Sequence, residues 1–179
     1  MAICRPEAIL EFANFLEEFG PAADAEALYR RVAEEVAPTL LEAIVEYANF
    51  ERRHGRLQRS MQIYEGALVR LAPALDANGV HAGVAASKAA SADDFAFLSL
   101  HYGRFLQAVM GELWRCVVGS RRKMISAGLT CVACGYGVMS GHRERAREVY
   151  EAAVRAAPSS VNTWLATIQF ESAHHGEHC

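Results

Sequence analysis

The sequence predicts an all-α fold, an α-α superhelix (solenoid) of antiparallel helix pairs, and three observations predict it. Apolar residues recur three and four positions apart, the spacing that lines one face of a helix. Glycine and proline punctuate these runs at regular places. The pattern as a whole returns at an offset of roughly 35 residues, a period at which helix pairs stack because none can bury its apolar face alone. The 179 residues suffice for one domain, and 52% hydrophobic residues supply a sizeable core.

The most complete unit runs from Tyr47 to Pro73. Ile44, Tyr47 and Phe50 fall on one face of a first helix, with Glu51, Arg52 and Arg53 turned toward water. Gly55 ends that helix in the left-handed conformation, and His54 and the arginines beside it place positive charge where the helix dipole favours it. A second helix follows, striped by Leu57, Met61, Tyr64, Ala67, Leu68 and Leu71, and closes at Pro73.

The first copy matches it residue for residue. Ile9, Phe12 and Phe15 take the places of Ile44, Tyr47 and Phe50; Gly20, Tyr29 and Pro38 take those of Gly55, Tyr64 and Pro73. Residues 1–73 therefore hold repeats one and two. Residues 74–94 are mostly alanine, glycine, serine and aspartate without apolar periodicity, which predicts a flexible loop; Ser91 with Asp94 three residues on reads as a capping box for the next helix. The third repeat, 95–158, opens with Tyr102 and Phe105 in the aromatic positions. A cysteine-, glycine- and valine-rich insertion at 112–141, expected to be poorly ordered, splits it. Gly141, Tyr150 and Pro158 then resume the pattern. Residues 159–179 make the first helix of an incomplete fourth repeat, capped by Ser160 and carrying Trp164, Ile168 and Phe170.

This combination resembles the half-a-TPR (HAT) repeat family of RNA-processing scaffolds. Trp164, Phe170 and Glu171 carry the first-helix signature; Arg145, Ala146, Arg147, Tyr150 and Glu151 carry the second. Within the HAT class the order of pieces is similar to the carboxyl-terminal repeats of the pre-mRNA-processing factor 39 family, components of the U1 small nuclear ribonucleoprotein (snRNP). The resemblance implies a nuclear, non-catalytic scaffold acting at 5′ splice-site recognition, with other U1 snRNP or splicing proteins as partners and a homodimer, or a heterodimer with another HAT protein, as its assembly. A generic TPR-like peptide-binding adaptor, or a HAT scaffold of mRNA 3′-end or ribosomal-RNA processing, is the alternative reading. The repeat-defining positions are Phe12, Phe15, Gly20, Tyr29, Tyr47, Phe50, Gly55, Tyr64, Tyr102, Phe105 and Tyr150. Trp164, Ile168 and Phe170 form the candidate protein interface, an apolar strip left uncovered by the half repeat.

The chemistry-bearing residues point to no enzyme or cofactor. There is no glycine-rich phosphate loop, nucleophile elbow or HExxH, and the acidic residues lie opposite apolar helix faces. Cys131 and Cys134 form one C-x-x-C, but Cys116, His142, His174, His175, His178 and Cys179 supply no second close pair, so no metal is expected. The five irregularly spaced cysteines suggest a reducing compartment, cytosol or nucleus. Met124 to Gly141 is uncharged, yet its glycines, serines and threonine make it too mildly apolar for a membrane span. A net charge of -3 argues against a protein devoted to gripping nucleic acid, although the arginines at 52, 53, 56 and 59 and at 143, 145 and 147 allow a weak or indirect RNA contact.

Overall fold

A computed structural model describes the backbone of residues 5–71, 92–124 and 130–174, with side chains for 5–71, 92–111 and 141–173. Among these residues every regular element is helical. The helices are α1 (Pro6–Phe19), α2 (Ala22–Arg31), α3 (Leu41–Arg53), α4 (Leu57–Leu71), α5 (Ala92–Met124), α6 (Thr130–Ala156) and α7 (Val161–His174). A π-helical turn, Val32–Val36, extends α2. The chain divides into two compact units at residue 94, so α1 to α4 lie in the first and α6 and α7, with nearly all of α5, in the second.

Local chemistry sets the boundaries in the first unit. Pro6 opens α1 where its missing N–H is an orphan in any case, and Glu7 adds negative charge to the positive end of the dipole. The helix ends at Gly20, whose N–H bonds Leu16 O at 2.9 Å. The sequence match made Gly20 the counterpart of Gly55, yet the two turns differ. Gly20 is extended (φ −125°, ψ −167°), because the ring of Pro21 restricts the residue before it to extended backbone. Gly55 is left-handed at φ +76°. Its N–H reaches Arg52 O at 3.0 Å and that of Arg56 reaches Glu51 O at 2.9 Å, the paired bonds of a Schellman turn. Both turns are short enough to send the chain straight back, so α1 packs on α2 and α3 on α4.

The core of the first unit joins the two pairs. Leu10 and Ala13 of α1, Ala25 and Tyr29 of α2, and Tyr47 and Phe50 of α3 are all buried in one cluster. Arg53 clamps α3 to α1, its Nε and Nη2 donating to the two Glu17 carboxylate oxygens at 2.6 Å each. Those bonds hold the Glu17 carboxyl below its usual pKa, against the opposing effect of burial.

In the second unit the helices depart from the expected boundaries. Within the segment 112–141, expected to be poorly ordered, residues 112–124 and 130–141 instead prolong the repeat's two helices: α5 continues to Met124 and α6 starts at Thr130. The reason is that elongating an existing helix adds a hydrogen bond for each residue fixed, without a new nucleation cost, and no proline lies between 112 and 141 to stop it. Consequently Gly141 is not a turn but a residue within α6, and Arg143, Arg145 and Arg147 lie along a helix. The expected loop at 74–94 is also shorter at its end, since α5 begins at Ala92 with Asp93 and Asp94 in its first turn. The rest of that loop and the Ser91 cap lie outside the described residues.

Two outcomes follow from these turns and clamps. Gly55→Ala should cost about 1 kcal/mol from backbone strain alone, because an added Cβ meets nothing within 4 Å; denaturant unfolding measures it. Glu17→Gln should cost up to about 1 kcal/mol at neutral pH, the range for partly exposed pairs. Since the folded pKa of Glu17 is depressed, its contribution is complete above the unfolded value near about 4.3 and disappears as pH falls through the folded one. Parent and variant stabilities should therefore converge in acid.

Candidate protein interface

One joint occurs in both units and defines which faces are covered. Tyr29 of α2 stacks on Phe50 of α3 with ring centres 5.1 Å apart and planes tilted 40°. Tyr150 of α6 meets Phe170 of α7 in nearly the same way, at 5.2 Å and 39°. Each tyrosine also turns its hydroxyl toward the first helix of its own pair. Tyr29 shares its proton between Asn14 Oδ1 and Glu17 Oε2 (3.0 Å) on α1. Tyr150 donates to Gln107 Oε1 on α5 at 2.9 Å. Glu17 and Gln107 occupy the same repeat position.

The ring needs a flat seat on that first helix. A Cβ built on Gly103 would come within 2.6 Å of the Tyr150 ring. The corresponding residues of repeats one and two are Ala13 and Ala48, both fully buried. This small position was missed in the sequence, although alanine, alanine and glycine at matching offsets carry the signal. Burial pushes the hydroxyls of Tyr64 and Tyr150 up to about 12 and raises Tyr29 still further.

The repeat-defining residues divide by cover. Tyr29, Tyr47, Phe50, Tyr64, Tyr102, Phe105 and Tyr150 are buried. Phe12 and Phe15, the counterparts of Tyr47 and Phe50, are 53% and 54% exposed, and Phe19 continues their row. Their rings contact one another along α1, at 6.4 Å for Phe12 with Phe15 and 5.2 Å for Phe15 with Phe19.

The predicted strip on α7 also splits. Ile168 is 59% exposed and Trp164 48%, with Val161 and Leu165 exposed beside them. Phe170 is fully buried against Tyr150, so it belongs to the joint and not to the strip. The half repeat's missing cover had placed it in the strip, whereas helical spacing sets it apart, two positions from Ile168 and so on another side of the helix. Trp164 is anchored by its indole N–H, which donates to Pro158 O at 2.9 Å. Ile168 stands at the position held by Ala13, Ala48 and Gly103 elsewhere.

The arginines proposed for RNA are largely engaged within the protein. Arg53 holds Glu17, and Arg56 approaches both Glu26 (2.9 Å) and the buried Glu51 (2.5 Å). Arg147 forms a two-point pair with Glu171 at 2.8 and 3.2 Å, and Arg145 faces Glu148 at 3.4 Å. Arg59 points toward the Tyr47 hydroxyl at 3.5 Å, at the rim of a shallow groove of about 180 Å3 that also includes Ile44, Gln62 and Arg70.

Among the described residues no group of three or more histidine, cysteine, aspartate or glutamate side chains could hold a metal. The Cys131 and Cys134 pair, with Cys116, His174, His175, His178 and Cys179, lies outside those side chains. No helix searched is long and apolar enough to cross a membrane. Compared with models of known protein families and with curated protein sequences, the chain matches none. What the described residues define is a class: a helical fold of repeated tyrosine joints, with exposed apolar faces on α1 and α7.

The joints predict an alkaline limit. A raised tyrosine pKa favours the folded state fully below the unfolded value near about 10, and that contribution is lost as pH rises toward the folded value. Tyrosinate absorbance of Tyr64 and Tyr150 should therefore appear together with loss of helical circular dichroism. Tyr150→Ala should cost on the order of 3 kcal/mol as a large-to-small core change, measured by denaturant unfolding.

Proposed function

We propose that this protein is a non-catalytic scaffold of pre-mRNA splicing, a HAT-type helical repeat protein similar to the U1 snRNP-associated factors acting at 5′ splice-site recognition. The observation that carries the protein-binding part is the exposed apolar strip of Val161, Trp164, Leu165 and Ile168 on α7. Large apolar side chains at three- and four-residue spacing, with Trp164 held by its own hydrogen bond, form the kind of rigid aromatic-centred patch that anchors interfaces. The splicing assignment rests on the sequence signature at Trp164, Phe170, Glu171 and Arg145 to Glu151. Both the nuclear location and the U1 partners follow from it.

On this reading the α7 strip pairs the protein with a second copy or with another HAT protein. The groove whose polar lining includes Glu34, Arg59, Gln62 and Arg70 favours a second reading, a TPR-like adaptor that takes a peptide tail.

Light scattering of the purified chain should give a dimer at tens of micromolar, and Ile168→Glu should return it to a monomer with unchanged helical circular dichroism, since that side chain is largely exposed. A parent that is monomeric alone and mixed with other HAT proteins would reject the pairing. Affinity capture of the intact protein should bring U1 snRNP components with it. Their absence, with the dimer intact, would reject the splicing role alone.

A further inference from the structure

We propose that the Phe12, Phe15 and Phe19 face of α1 is a docking surface for one helix of a partner protein, a helix bearing a small residue four positions before a tyrosine. The protein itself shows what covers such a face. Phe50 of α3 and Phe170 of α7 are two of the three counterparts of Phe15, the third being Phe105 of α5, and these two show the cover. Each is covered by a second-type helix that lays a tyrosine against it at 5.1 or 5.2 Å and close to 40°. Those two covering helices carry Ala25 before Tyr29 and Ala146 before Tyr150, and both alanines are fully buried. On α1 the corresponding phenylalanine is present and, among the described residues, no tyrosine meets it; its ring neighbours there are Phe12 and Phe19.

A second copy of this chain is a poor occupant. Its own tyrosines of this type, Tyr29, Tyr64 and Tyr150, are each at most 1% exposed, so none is available without opening its own unit. A foreign helix has no such obstacle. Its charge is also indicated: Glu11 and Glu18, exposed on α1, lie one helical turn to either side of Phe15 and favour arginine or lysine beside the incoming tyrosine. The surface belongs to a different helix from the α7 strip, and its occupation does not depend on a role in splicing.

The probe is a labelled peptide of residues 141–158, which has the required alanine, tyrosine and arginines. It is made helical by a lactam bridge between E144K and Glu148, both positions being exposed in α6, and its helicity is checked by circular dichroism. Fluorescence anisotropy against the full chain should show saturable binding. Tyr150→Ala in the peptide should weaken it about tenfold or more, the effect of losing a buried aromatic anchor. In the full chain, Phe15→Glu and, separately, Phe12→Glu should weaken it comparably while leaving the thermal midpoint unchanged, because both rings are more than half exposed. No saturable binding by the helical peptide would overturn the proposal. So would equal binding by the two peptides, or binding that persists in both chain variants, which would locate the peptide elsewhere.

Discussion

The contact on which both units depend is a tyrosine caught between two first-type helices. Tyr29 and Tyr150 each present a hydroxyl to the helix before them and a ring face to the phenylalanine of the helix after them. A side chain with a polar tip and a broad apolar body is suited to this place, because it satisfies its own buried donor while covering apolar area on both sides. Phenylalanine would leave Gln107 without its donor, and leucine would lose the ring contact. The seat beneath the ring constrains a third residue: the Cβ clearance at Gly103 leaves no room for a larger side chain. Tyrosine, small seat and following phenylalanine therefore form one steric unit, and the 35-residue offset between repeats one and two keeps its parts in register.

Electrostatics adjusts that unit differently in its two occurrences. Three residues before Tyr150 stands Arg147, which pairs with Glu171 directly across the joint. Three residues before Tyr29 stands Glu26, which shares Arg56 with the buried Glu51. Arg56, from the turn after Gly55, reaches both. The left-handed turn thus has a second role, since it delivers the cation that makes two neighbouring carboxylates tolerable. Glu51 remains only partly compensated: neither of its oxygens accepts an aligned hydrogen bond, although Arg56 Nε lies 2.5 Å away. A buried carboxylate in this state makes the joint depend on Arg56 more than an exposed pair would.

The sequence was most legible where spacing and sterics agree. Helix pairing, the left-handed Gly55 and the burial of Tyr64 and Tyr150 all follow from residues whose position and chemistry give one message. Legibility failed where two rules competed. Gly20 looked like Gly55, but its neighbour Pro21 controls the backbone. Residues 112–141 looked irregular in composition, while helix elongation outweighed the weak periodicity of 112–124 and 130–141. Phe170 looked like part of an open strip because a half repeat was expected to leave its aromatics bare. It is buried because α6 supplies Tyr150. The small seat was invisible for a simpler reason: alanine in a helix is so common that only the clearance at Gly103 gives it meaning.

The two exposed faces differ in what they can accept, and the seat decides the difference. On α7 the seat position is filled by Ile168, with Leu165 three residues before it, so a tyrosine could not lie there as Tyr150 lies on Gly103. An apolar partner surface must instead pack around a protruding branched side chain and the rim of Trp164. On α1 the seat, Ala13, is already occupied by the fold, being fully buried in the same cluster as Tyr29. What remains open there is the other half of the joint, a row of aromatic ring faces with acidic residues alongside. One face is therefore built for a helix that brings a tyrosine, the other for a surface that receives an isoleucine. A chain with two such unlike faces can hold two different partners without their competing for one kind of contact.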